Sequence, residues 1–197
     1  ALYYQTSSAN EGDRQGPLPA LFPKGYQGFY MMKYEATQGQ YRDFLNTLSY
    51  LQQNFRTGRS PQSAVDSPAM VTGNLNRNGI DIQLSGNAAL AIPAVYACNL
   101  NKASPYNHTD DGEWIACNWL SWMDNCAYLD WAGLRPMTEL EFEKACRGTV
   151  TPVSGEYAWG NTNLIFVTGL RYEGTNEEQS FPPSLGANIT YQNQGSV

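Results

Sequence analysis

The chain has 197 residues, 42% hydrophobic and 13% aromatic, enough to fill the core of one domain, and no uncharged apolar run of about 18 residues that would cross a membrane as a helix. Its 18 acidic against 12 basic residues leave a net charge of −6, with no Lys/Arg stripe, which argues against nucleic acid as a partner. Charged residues make up only 15% of the chain, while Asn, Gln, Ser, Thr, Gly and Tyr abound. Neutral hydrogen-bonding groups therefore keep the surface hydrated, which points to an extracellular or cell-surface setting.

Residues 1–22 are polar and punctuated by Gly and Pro, and read as an N-terminal arm leading into a domain over residues 23–197. Phe29 to Tyr34 alternates weakly and is aromatic and Met-rich, which predicts a buried strand. Thr37 with Gln40 three residues on is a capping box, and Tyr41, Phe44, Leu45 and Leu48 then fall at i, i+3, i+4 and i+7 on one apolar helix face. From Gln52 to Ala69 the chain is polar and carries Arg56, Arg59, Pro61 and Pro68, which predicts a long loop. Asn74 to Gly79 reads as a turn, with Asn78-Gly79 favouring positive φ. Leu84 to Val95 alternates apolar and small polar residues, and Asn99 to Glu113 is a second polar loop.

Two helices follow in quick succession. Ser121 caps the first with Asp124 in its first turn, and Gly133 stands at its stop. Thr138 and Glu141 form the capping box of the second, which Gly148 ends. After Thr149 the chain is rich in Gly, Pro, Thr and Asn, with β-prone pieces around Ile165 to Val167 and no helix signal. No internal repeat is visible.

These residues carry a family resemblance. Leu120-Ser121-Trp122, Ala127-Tyr128 and Trp131 are followed by Arg135-Pro136-Met137-Thr138-Glu139-Leu140-Glu141-Phe142-Glu143-Lys144-Ala145-Cys146-Arg147-Gly148, and then by Trp159-Gly160-Asn161. Upstream stands Gly28-Phe29-Tyr30-Met31-Met32-Lys33-Tyr34-Glu35-Ala36-Thr37-Gln38-Gly39-Gln40-Tyr41. In this order they resemble the formylglycine-generating-enzyme (sulfatase-modifying factor, FGE-sulfatase) family. The resemblance implies an α+β, C-type-lectin-like fold with few helices, short strands and a high loop content, of which residues 23–197 would be the N-terminal portion. Arg135-Pro-Met-Thr departs from the family's Leu-Pro-Thr-Glu, which marks a divergent branch.

The family's reactive cysteine pair, which with copper oxidises a substrate cysteine to an aldehyde, is expected downstream of Val197. No copper site is thus expected in this chain, and its four cysteines match no catalytic position. Gly186-Ala187-Asn188-Ile189-Thr190 resembles the segment through which family members hold a structural calcium, implicating the Asn188 side chain and the Ile189 carbonyl; an Asn-containing turn explains it equally well. The same fold serves bacterial surface and secreted proteins as a rigid frame displaying a binding surface. The resemblance therefore implies an extracellular, non-catalytic binding or assembly domain that recognises glycan or protein partners, or self-assembles into a surface structure. The alternative is a fragment of a formylglycine-generating oxidase.

Other residues have simpler readings. Cys98, Cys117, Cys126 and Cys146 allow three pairings; Cys98 and Cys117 flank a polar loop and are the disulfide candidate, while Cys126 and Cys146 fall on apolar helix stripes as small hydrophobes. Asn74, Asn76, Asn78 and Gly79 have the spacing that opens a calcium loop, but Ser85 stands where a bidentate Glu is required, so a hairpin turn is the simpler reading. His108, Asp110, Asp111 and Glu113 have the makings of a metal or acid-base cluster and equally those of a solvated turn. Glu139, Glu141 and Glu143 suit a helix N-terminus. Of the five tryptophans, Trp122, Trp131 and Trp159 are expected in the core and Trp114 best fits a sugar-binding role.

Overall fold

The computed structural model describes residues 19–102, 105–151, 153–157, 161–163, 165, 167, 169–172, 175, 177 and 179–180. Their order is α1 (Gln38–Asn46), α2 (Tyr50–Arg56), β1 (Ile80–Leu84), β2 (Val95–Cys98), α3 (Trp122–Trp131), α4 (Glu139–Arg147), β3 (Leu170–Arg171) and β4 (Gln179–Ser180). Helices, short antiparallel strand pairs and much connecting loop make the chain α+β. The described residues gather into two compact units. One draws on Met32–Pro136 and the residues from Thr162 on, the other on the residues up to Met31 together with Met137–Asn161.

In the first unit, α1 begins where the sequence predicts. Thr37 Oγ1 accepts from Gln40 N at 3.2 Å, and Gln40 Oε1 accepts from Thr37 N at 2.9 Å, which satisfies two N–H groups that a helix start would otherwise leave open. Tyr41, Phe44 and Leu45 are buried, with Leu48 packed against the same cluster just past the helix end. Each fully buried side chain of this kind contributes about 1.5–3 kcal/mol. Phe44 meets Tyr128 edge-on at 5.9 Å and Trp131 at 5.6 Å, so α1 and α3 join through aromatic rings. Trp122 and Trp131 are nonetheless exposed, at 66% and 46%, which corrects the expectation that the core takes both: α3 turns one narrow face inward, and Tyr128 occupies it.

Residues 50–56 are a helix, not the loop predicted from Gln52 to Ala69. Its start is a second box, in which Gln52 Oε1 accepts from Ser49 N at 2.9 Å and from Ser49 Oγ at 2.8 Å. The polar composition misled because the buried residue of α2 is itself polar. Gln53 donates to Leu45 O and Ala94 O at 3.1 and 2.9 Å and accepts from Ala94 N at 2.8 Å, so an amide replaces an apolar anchor.

β1 and β2 pair antiparallel, with Ile80 opposite Cys98 and Ile82 opposite Tyr96, and the register slips between Ile82 and Leu84. Ile80, Ile82, Tyr96 and Ala94 fill the floor of the core. The turn before β1 places positive φ at Asn76 and Arg77, not at Asn78-Gly79. Gly79 is needed for space: a Cβ there would stand 2.8 Å from Leu100 Cβ and 2.9 Å from its Cα. Phe29 to Tyr34 is not a strand, and Tyr30 and Tyr34 are exposed; among the described residues no strand pairs with this segment.

In the second unit α4 carries the box read from the sequence. Glu141 Oε2 accepts from Thr138 N at 3.0 Å, and Thr138 Oγ1 accepts from Glu141 N at 3.2 Å while donating to Pro23 O at 2.7 Å. Lys144 donates to Gln27 O at 2.8 Å. Gly25, at φ +75°, lies so close to Leu140 that a Cβ would stand 2.8 Å from its carbonyl oxygen. Cys146 is exposed, so it does not act as the small buried hydrophobe expected of it.

Candidate functional site

Within the first unit a cleft of about 550 Å³ opens beside the start of α1, lined by Met32, Lys33, Tyr34, Glu35, Thr37, Gln40, Trp114 and Ala116. Its size lies within the about 300–1,000 Å³ of small-molecule sites. The polar loop that ends at Glu113 delivers Trp114 to it by backbone hydrogen bonds. Gln38 N donates to Ile115 O at 2.8 Å, Gly39 N to Glu113 O at 3.0 Å and Cys117 N to Ala36 O at 2.8 Å, with a bridge between Thr37 and Ala116. Residues 113–117 thus run alongside the entry to α1, and the first N–H groups of the helix are consumed in holding them.

Arg42 fixes the same segment from the side. Its guanidinium pairs with Glu113 and with Asp43, and donates to Asn107 Oδ1 at 2.7 Å. Gly39 is part of the seat, since a Cβ there would meet Glu113 O at 3.2 Å. Trp114 is left 60% exposed and Tyr34 68% exposed, and the Lys33 ammonium stands 5.0 Å from the Tyr34 ring centre, a cation–π contact. Two aromatic rings, one ammonium, one carboxylate, a hydroxyl and an amide therefore share one open cleft. The sequence singled out Trp114 for a sugar-binding role, and the structure places it exposed in this cleft. Lys33, Tyr34 and Glu35 belong to the upstream motif, and the structure adds that they face the same cleft as Trp114.

The acidic residues around His108 hold the loop together. Asp111 is fully buried and accepts from His108 N at 2.9 Å and Asn101 N at 3.3 Å, which folds the loop. Asp110 pairs with His108 Nδ1 at 2.6 Å, and the contacts from His108 and then Asn101 hold its carboxyl below the usual range. The cluster is thus split between a buried loop anchor, a surface pair and the Arg42 clamp on Glu113.

The Asn-rich turn spends its oxygens on nearby partners. Asn74 Oδ1 accepts from Asn76 N at 3.2 Å and Asn78 Oδ1 from Ile80 N at 3.1 Å. Ser85 Oγ donates to Ser63 O at 2.7 Å. Among the described residues no three His, Cys, Asp or Glu side chains converge to hold a metal ion. Asn188 and Ile189, with Trp159 and Gly160, lie outside the described residues.

All four cysteines are free thiols, so the disulfide expected between Cys98 and Cys117 is not formed in this structure. Burial pushes both thiols up to about 12, and for Cys117 the neighbouring Cys98 adds to the effect. A desolvated thiol stays protonated at neutral pH.

A family model for the sulfatase-modifying factor enzyme 1-like domain (FGE-sulfatase) matches residues 4–184. The formylglycine-generating enzyme of Mus musculus is 27% identical over 178 residues, covering 80% of this chain and 44% of the mouse protein. That of Bos taurus is 26% identical over 140 residues, covering 68% of this chain and 33% of the bovine protein. The chain therefore spans less than half the length of these curated relatives. No solved structure matches it.

Proposed function

The chain belongs to the sulfatase-modifying factor enzyme 1-like (FGE-sulfatase) family, and on that premise we propose that it is an extracellular or cell-surface binding domain that uses the family frame without its oxidative chemistry. The observation that supports this reading is the cleft beside α1, where an exposed indole is held by backbone bonds and by the Arg42 clamp instead of being packed away. Large aromatic side chains held rigid and exposed are a mark of recognition sites. The partner is a glycan or a protein, and a self-assembled surface structure is a form of the same reading. A structural calcium at Asn188 and Ile189 belongs to the same proposal.

The second reading, a portion of a formylglycine-generating oxidase, is favoured by the names of the mouse and bovine relatives. One experiment separates the two. The protein is incubated with a cysteine-bearing peptide, copper and oxygen and the peptide mass is followed, while binding to immobilised glycans and proteins is measured for wild type and Trp114→Ala. Trp114-dependent binding with an unchanged peptide mass is the expected result. Conversion of the cysteine to an aldehyde overturns the proposal.

A further inference from the structure

We infer that the cleft beside Trp114 takes an uncharged oligosaccharide, one sugar ring resting on the Trp114 indole and its hydroxyls hydrogen-bonded to Glu35, Gln40 and Thr37. The inference rests on reading this cleft as the binding site and names the chemistry of its ligand.

Charge is the first argument. The cleft holds one ammonium, Lys33, and one carboxylate, Glu35, so its lining sums to zero and offers no field that would favour an anion or a cation. A helix N-terminus is ordinarily an anion site, but that of α1 is already saturated. Thr37 N donates to Gln40 Oε1, Gln38 N and Gly39 N to the carbonyls of Ile115 and Glu113, and Gln40 N to Thr37 Oγ1. A phosphate or sulfate arriving there would find its donors taken.

Ring chemistry is the second. Lys33 stands over the Tyr34 ring, which leaves the exposed Trp114 as the open aromatic platform of the cleft. The C–H face of a pyranose carries partial positive charge and complements the negative face of an indole. A carboxylate, an amide NH2 and a hydroxyl in the same lining supply acceptors and donors for a ring of hydroxyl groups, which a purely apolar ligand would leave unsatisfied at a cost. An uncharged, polyhydroxylated ligand with one apolar face is the class that meets all of these groups together.

The test is a titration by intrinsic fluorescence with maltohexaose, cellohexaose and N-acetylchitohexaose, and with a heparin hexasaccharide and hexalysine as charged counterparts. Wild type is compared with Trp114→Ala, Trp114→Phe, Glu35→Gln and Trp122→Ala, the last removing an exposed indole outside the cleft, with circular dichroism to confirm that each variant is folded. We expect saturable binding of at least one neutral hexasaccharide, weakened about tenfold or more by Trp114→Ala, partly rescued by Trp114→Phe, and unchanged by Trp122→Ala. Trp114-dependent binding confined to heparin or hexalysine would overturn the inference and leave the cleft as a binding site. Failure of all three neutral sugars to bind would also overturn it. Binding of any probe that ignores Trp114 would overturn both this inference and the assignment of the site.

Discussion

Arg56 at the end of α2 and Asp124 in the first turn of α3 form an ion pair at 3.1 Å, and the same Asp124 carboxylate closes the α3 capping box. Its Oδ2 accepts from Ser121 N at 2.9 Å and from Ser121 Oγ at 2.6 Å, while Oδ1 receives Arg56. One mostly buried group thus starts a helix and ties it to another.

Asp124→Ala removes both functions and is expected to lower stability by about 1–3 kcal/mol, and Asp124→Asn by less, since an amide oxygen still caps Ser121 but no longer pairs with Arg56. Urea unfolding of the two variants checks the order. Equal losses would show that the ion pair with Arg56 alone matters.

Gln53→Ala is expected to cost at least about 2 kcal/mol, because it strands the buried carbonyls of Leu45 and Ala94 and the Ala94 N–H. Gln53→Glu should be no better, since the carboxylate replaces two donors with acceptors and buries a charge. Thermal unfolding measures both, and a loss no larger than that of an exposed Asn54→Ala control in the same helix would contradict the assignment.

Asp81 is fully buried, with Oδ2 accepting from Asn99 at 2.8 Å and paired with Lys102. Burial raises its carboxyl above 3.8, with the Lys102 and Asn99 contacts only partly opposing. A raised carboxyl binds its proton more tightly folded than unfolded, so its contribution is fully present below the unfolded pKa and is lost as pH rises through the folded value. The stability of Asp81→Asn relative to wild type should therefore rise from pH 3.8 upward and level off once the native carboxyl is ionised. Urea unfolding across that interval reads it, and a flat difference would show no shift.

Cysteine labelling should find four reactive thiols in denaturant without reductant, and in the native protein the exposed Cys146 first, with Cys98 and Cys117 slowest. Two thiols in denaturant would show instead that one disulfide has formed, and peptide mapping for a Cys98–Cys117 link would identify it.

Much of the local structure was legible because helix starts are written in adjacent residues. Thr37 with Gln40 and Thr138 with Glu141 form the boxes their spacing predicts, and the Ser121 cap read from the sequence is completed into a box by Asp124. Ser49 with Gln52 carries the same signal, and the helix it opens was missed because polarity outweighed the cap. Burial was less legible. Trp122 and Tyr34 read as interior by residue type and lie at the surface, since a short helix and an unpaired segment have only as much inner face as their neighbours cover.

The sequence by itself determined the family, through two ordered motifs, and the starts of α1, α3 and α4, through side chains three residues apart, because both are short-range properties of the chain. Only the tertiary structure decided that Gln53 is a core residue and that Trp114 shares a cleft with Lys33, Tyr34 and Glu35 from some eighty residues earlier. Those facts depend on which backbone groups lie opposite one another after folding, and no local pattern encodes that.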